Sequence, residues 1–155
     1  MRPDFFEPEI ADAMVARIGA LTAETEPVWG QMSVAQMLAH CSRPFESVYD
    51  PEYAKAHPPP NFVVRTLLRL LVKPLVVGEK PYKRSMRTAP EFVIGEGRDF
   101  ATEQQRLMAF VKRAQEEGEA AFEGRESHSF GPLTAREWST LFHKHTDHHL
   151  TQFGV

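Results

Sequence analysis

With only one cysteine, Cys41, in 155 residues, the chain can form no intramolecular disulfide, and a reducing, cytoplasmic setting is expected. It also lacks any apolar run near the roughly 18 residues of a membrane span, so no stable membrane insertion is expected. The first residues, Met1-Arg2-Pro3-Asp4-Phe5-Phe6, hold no apolar stretch of the kind that opens a secretory signal. An excess of positive charge is absent: 18 Lys and Arg against 21 Asp and Glu give a formal net charge of −3, which argues against nucleic acid as a partner. Neither an internal repeat nor a low-complexity tract is present. What remains is a chain of one-domain size whose 42% hydrophobic content suits a soluble core, and residues 1–155 are read as a single domain.

Four helices carry the apolar periodicity. The first spans about Pro8 to Glu24, with Pro8 in the first turn and Ile10, Met14, Ile18 and Leu21 on one face. A second opens at Ser33, where Ser33-Val34-Ala35-Gln36 forms a capping box, and continues with a stripe of Val34, Leu38, Cys41, Phe45 and Val48. Pro44 falls inside that stripe and is expected to kink or shorten the helix. The third runs from near Asp99 to Gly118 with Phe100, Leu107, Val111 and Ala114 on its core side. The fourth begins at a second capping box, Thr134-Ala135-Arg136-Glu137, and stops near Gly154. The fold class expected is therefore all-α, with a long irregular insertion between the second and third helices.

That insertion is Pro- and Gly-rich. The Asp50–Pro60 stretch reads as loop or polyproline, Phe62–Lys73 as a short apolar helix, and Pro74–Arg98 as irregular. Between Asn61 and Pro90 seven basic residues (Arg65, Arg69, Lys73, Lys80, Lys83, Arg84, Arg87) face one acid, Glu79. The plain reading is a solvated face; the sharper one is attraction of an anionic small molecule or an acidic partner.

Histidine is the residue in excess. Four of the seven lie in the last thirteen residues. At about 100° per residue, His145 and His149 share the core face of the fourth helix with Trp138 and Phe142, while His148 lies at its margin and His143 points away. Two histidines one turn apart can direct ring nitrogens to a common point, as in zinc helices. A lone histidine on such a face is ordinarily a core or boundary residue, but burying two requires partners for four ring nitrogens. An open metal site needs a third ligand, for which His40, His57, His128 and a carboxylate all stand as candidates. The wheel puts His40 at the edge of its stripe, a position that permits ligation without demanding it.

Two segments carry a resemblance. Trp29-Gly30-Gln31-Met32-Ser33-Val34-Ala35-Gln36-Met37-Leu38-Ala39-His40 resembles the second-helix signature of the DinB/YfiT-like superfamily. His145-Thr146-Asp147-His148-His149-Leu150-Thr151-Gln152 resembles its C-terminal His-x-x-x-His motif, with Leu150-Thr151 in place of the usual Arg-Gly. A block from His128 to Thr134, together with Glu137-Trp138 and the C-terminus from Lys144, is similar to an uncharacterised DinB-like family. The resemblance implies a DinB-like four-helix bundle holding one divalent metal ion, zinc or nickel, through His40, His145 and His149.

It also implies an activity: thiol-dependent transfer to a small electrophile, with a low-molecular-weight thiol as cosubstrate. On that reading the basic residues from Arg65 to Arg87 would hold an anionic small-molecule substrate. A metal-dependent hydrolase of a small ester or amide stays open. So does a non-catalytic metal-binding homodimer, with the Phe62–Lys73 helix as a dimer surface or an interfacial membrane contact. Asp147 falls opposite the core face, so no carboxylate general base is evident, which favours thiol transfer or no catalysis at all. Cys41 lies at the centre of its apolar stripe and is read as packing, and Trp29 and Trp138 as core anchors. Tyr49, Tyr53 and Tyr82 border the insertion, where a pocket is expected.

Overall fold

The computed structural model describes residues 3–86 and 90–155 and is mainly helical, with one small two-stranded sheet among them. Capping chemistry sets where the long helices begin. Helix α2 (Val34–Tyr49) starts from Ser33, whose hydroxyl accepts from Gln36 N while the Gln36 side chain accepts from Ser33 N. Helix α7 (Ala135–Gln152) repeats the device with Thr134 and Glu137. Each reciprocal pair satisfies two amides that would otherwise be orphaned, and replacing such a cap by Ala costs about 1 kcal/mol.

Several boundaries differ from the sequence expectation. Helix α1 (Pro8–Gly19) stops well before Glu24, because glycine is a poor helix residue and Thr22 and Thr25 bond each other in a turn. Gln104 Nε2 donates to the carbonyls of Ile18 and Leu21 at the end of the helix. Helix α2 is not shortened at Pro44, which lies buried within it. The Asp50–Pro60 stretch is not all loop: Asp50 accepts from Glu52 N and Tyr53 N and caps α3 (Pro51–Ala56), with Pro51 in the first turn. Helix α6 (Phe100–Phe122) is interrupted at Gly118 (φ 71°, ψ 177°) and gains a last turn that buries Phe122.

The apolar helix after Asn61 is longer than its pattern suggested. It comprises α4 (Phe62–Leu67), a π-helical turn over Leu68–Val72 and α5 (Lys73–Val76). Leu68, Val72 and Val76 turn inward, while Phe62 (84% exposed), Leu70 (68%) and Leu71 face outward. A short antiparallel hairpin, β1 (Arg125–Ser127) with β2 (Gly131–Leu133), precedes α7 and had no expectation in the helical periodicity.

Helices α1, α2, α6 and α7 pack on one another around the core. Phe45 of α2 and Phe142 of α7 stack at 4.3 Å with their rings 9° apart, and Phe5 closes on both. Burying one such ring is worth roughly 1.5–3 kcal/mol, and the aromatic pairing adds about 0.5–1.5 kcal/mol. The stack also locks the register of α2 against α7, and so fixes where His40 and His145 meet. Arg43 and Arg106 both bond the buried carboxylate of Glu46 at 2.6 Å, which braces α2 against α6. No helix among the described residues is long and apolar enough to cross a membrane.

Candidate metal centre

The α2–α7 register brings His40, His145 and His149 together, with one ring nitrogen of each within 4.8 Å of the others. His40 Nε2 and His145 Nε2 lie 3.0 Å apart. The pair His145 and His149 comes from helical spacing alone; His40 arrives through tertiary packing, from the buried side of α2 rather than its edge. His57 stacks on Tyr53 and bonds its carbonyl, and His128 lies in the hairpin turn outside the trio.

Neighbouring groups dictate which nitrogens are free. His40 Nδ1 is 2.9 Å from the carbonyl oxygen of Phe92. A carbonyl only accepts, so Nδ1 carries the proton and Nε2 keeps its lone pair. Gln152 Nε2 donates to the carbonyl of Trp29 at 2.7 Å, which orients the amide so that Oε1 faces His149 Nδ1 at 2.8 Å. His149 Nδ1 therefore donates, and its Nε2 is left as a lone pair. Gly30 (φ +87°) makes room for this amide, since a Cβ there would run into Gln152 Nε2. Two of the three histidines are thus locked in the ligand tautomer by acceptors behind them, the arrangement that orients metal-bound imidazoles. His145 has no such partner: its Nδ1 is buried and unpaired.

Burial keeps all three neutral. It pushes His40 below the ordinary imidazole value, His145 well below it, and His149 down to about 3, with the neighbouring histidines adding to the effect. Neutral imidazoles offer lone pairs without first losing a proton, so the residues present fit a divalent cation. Asp147 points away and pairs with Arg17 at 2.7 Å, as the wheel indicates. Cys41 is fully buried, and burial raises its thiol, so it packs rather than reacts.

The trio opens into a pocket of about 890 Å³, within the range for small-molecule sites. Its walls are largely apolar, with Leu68, Val72, Val76 and Phe92 from the insertion and Trp138 and Leu141 from α7. Trp29 is a pocket wall rather than a core anchor, and Arg84 lies over its ring at 4.3 Å. Tyr82 lines the pocket; Tyr49 and Tyr53 do not. Of the basic run, Arg65 pairs with Glu126 and Lys73 with Glu137, while Arg87 is outside the described residues. The chain matches the model of the family described as "Protein of unknown function (DUF1569)" over residues 7–154. It belongs to the DUF1569 family. The matched region contains all three histidines, both capping boxes and the hairpin. No curated protein and no solved structure matches this DUF1569 chain.

The pairing of Gln152 with His149 and the carbonyl of Phe92 behind His40 were not anticipated. Gln152 had a signal, since it lies three residues beyond His149 on the same face. Phe92 had none, because its place depends on the path of the insertion.

Proposed function

We propose that the chain is a divalent-metal enzyme of the DinB-like type, a four-helix bundle of α1, α2, α6 and α7 in the cytoplasm, with zinc or nickel held by His40, His145 and His149. The observation that carries this reading is the convergence of three neutral imidazoles, two of them fixed by Phe92 O and Gln152 Oε1 with Nε2 free. A divalent cation held by these three histidines would lower the pKa of a thiol or water beside it, and so would supply a nucleophile at neutral pH. The protein's own groups do the rest: they orient the ligands, exclude water with apolar walls, and shape the space beside them.

Transfer of a low-molecular-weight thiol to a small electrophile is the reaction favoured. Among its described residues the pocket lining holds no Asp or Glu, so no carboxylate is placed to serve a hydrolase as general base. The carboxylates of a thiol cosubstrate would meet Arg84 beside Trp29, rather than Arg65 or Lys73, which are paired outward. Metal content of untagged protein, followed by a thiol–electrophile conjugation assay with and without chelator, tests both parts. Absence of stoichiometric metal sinks the centre; conjugation indifferent to chelator sinks the reaction.

The homodimer reading has its own support in the outward apolar side chains Phe62, Leu70, Leu71 and Leu75. Light scattering on the purified chain decides it: a monomeric mass removes the dimer.

A further inference from the structure

His128 is a pocket histidine that the metal centre does not use. It sits in the turn between β1 and β2, lines the same pocket, and stands outside the converging trio. Its Nδ1 lies 3.0 Å from Ser129 Oγ, and its Nε2 is buried with no hydrogen-bond partner. Buried ring nitrogens are nearly always paired, so an unpaired one on a residue that lines a pocket leaves a partner to be accounted for.

The turn itself is firmly tied, so this nitrogen is not an accident of a loose loop. Ser127 Oγ donates to Gly131 O at 2.8 Å and accepts from Phe130 N at 3.0 Å. Trp138 Nε1 donates to Arg125 O at 3.2 Å, fastening the hairpin to α7. The partner on Nδ1 also differs in kind from those of His40 and His149. Those two rings face carbonyl acceptors and hold one tautomer; a serine hydroxyl can either donate or accept. With Ser129 O–H donating to Nδ1, Nε2 carries the proton and presents a donor. Nothing opposes an electron-rich group there, because the described lining contains no acid.

We propose that His128 is a ligand-binding residue whose Nε2–H donates to the carbonyl or carboxylate oxygen of an otherwise apolar small molecule. The body of that molecule packs on the wall of Leu68, Val72, Val76 and Trp138. The pocket then has two polar poles, the trio and His128, separated by apolar surface. This inference uses none of the three metal ligands and holds for the metal-free chain.

The test is calorimetric titration of the metal-free 155-residue chain with octanoate, alongside ¹⁵N-detected imidazole NMR of the wild type. Octanoate should bind, and the His128 ring signals should move on binding. His128→Phe, which keeps an apolar wall, should weaken binding about tenfold or more; His128→Gln, which restores an N–H donor, should recover most of it. No binding by the wild type overturns the proposal. So does unchanged affinity in His128→Phe, or ring shifts confined to His40, His145 and His149. Should His128→Phe fail to fold by circular dichroism, the wild-type NMR result decides alone. Zinc stoichiometry measured on the same samples reports on the metal reading separately, since its loss would leave the octanoate result standing.

Discussion

Replacing Gln152 by Leu should weaken metal binding without touching a ligand. Gln152 is buried, accepts from His149 Nδ1 at 2.8 Å and donates to Trp29 O at 2.7 Å. Leucine keeps most of the volume and removes both bonds. His149 Nδ1–H then has no acceptor, the ring is free to turn or change tautomer, and Nε2 is no longer held as a lone pair toward His40. Loss of an outer partner of this kind typically lowers metal affinity 10–100-fold, which is about 1.4–2.7 kcal/mol. The fold itself should lose about 2 kcal/mol, taking roughly 1 kcal/mol for each bond. Zinc competition against a chromophoric chelator at neutral pH measures the first quantity and urea denaturation of the metal-free protein the second. Gln152→Glu separates the two roles. Its carboxylate still accepts from His149 but turns lone pairs toward the Trp29 carbonyl, so zinc affinity should survive better than stability. Wild-type zinc affinity in Gln152→Leu, with binding abolished in His149→Ala, would refute the argument that this amide orients the ligand.

Three further outcomes follow from the same geometry. His148→Ala should retain one divalent ion per chain while His149→Ala loses it, because His149 belongs to the converging trio and His148 packs against Trp29 and Tyr82 instead; equal loss in two helical variants, by inductively coupled plasma mass spectrometry, would show that the wrong face was chosen. Thiol–electrophile conjugation should fall sharply in His145→Ala and persist in Cys41→Ser, since Cys41 is fully buried in the core; a folded, metal-replete Cys41→Ser without activity would reverse the roles. Stability of the metal-free chain should be level above about pH 6.5 and decline below it, because the unfolded imidazoles take up protons near 6.5 while the folded ones are depressed, His149 to about 3. The slope is at most about 1.4 kcal/mol per pH unit for each histidine, and a denaturation midpoint that rises on acidification would contradict the burial of the trio.

How much of this was legible in the sequence depended on range. His145 and His149 follow from the rigid 3.6-residue period, and Ser33 and Thr134 from capping chemistry that acts within four residues. Buried Cys41 and outward Asp147 follow from the same wheels. The end of α1 failed because an apolar stripe through Leu21 says nothing about the Thr22–Thr25 turn that competes with the helix. The short helix α3 failed because the prolines at 58–60 masked the Asp50-Pro51 start signal just upstream. Trp29 was misplaced for a longer-range reason: its neighbours Arg84 and His148 come from the insertion and from α7, and neither is visible from the segment around it.

His40 shows the limit most clearly. Its own helix leaves it one ring nitrogen to be satisfied by the insertion, at Phe92 O, and the other facing His145 across the core. Neither contact has a local signature, and only the resemblance singled it out. Physically, the arrangement is costly: three imidazoles held neutral by burial, two lone pairs pinned toward one point, and a third ring with Nδ1 unpaired. An apolar core of the same volume would be easier to fold. Local rules of packing are broken here together, in one place, beside a ligand-sized pocket, and that coincidence is what a functional site leaves in an otherwise consistent fold. A cation taking up the converging lone pairs would recover that cost, because binding energy available only to the folded chain adds to its stability.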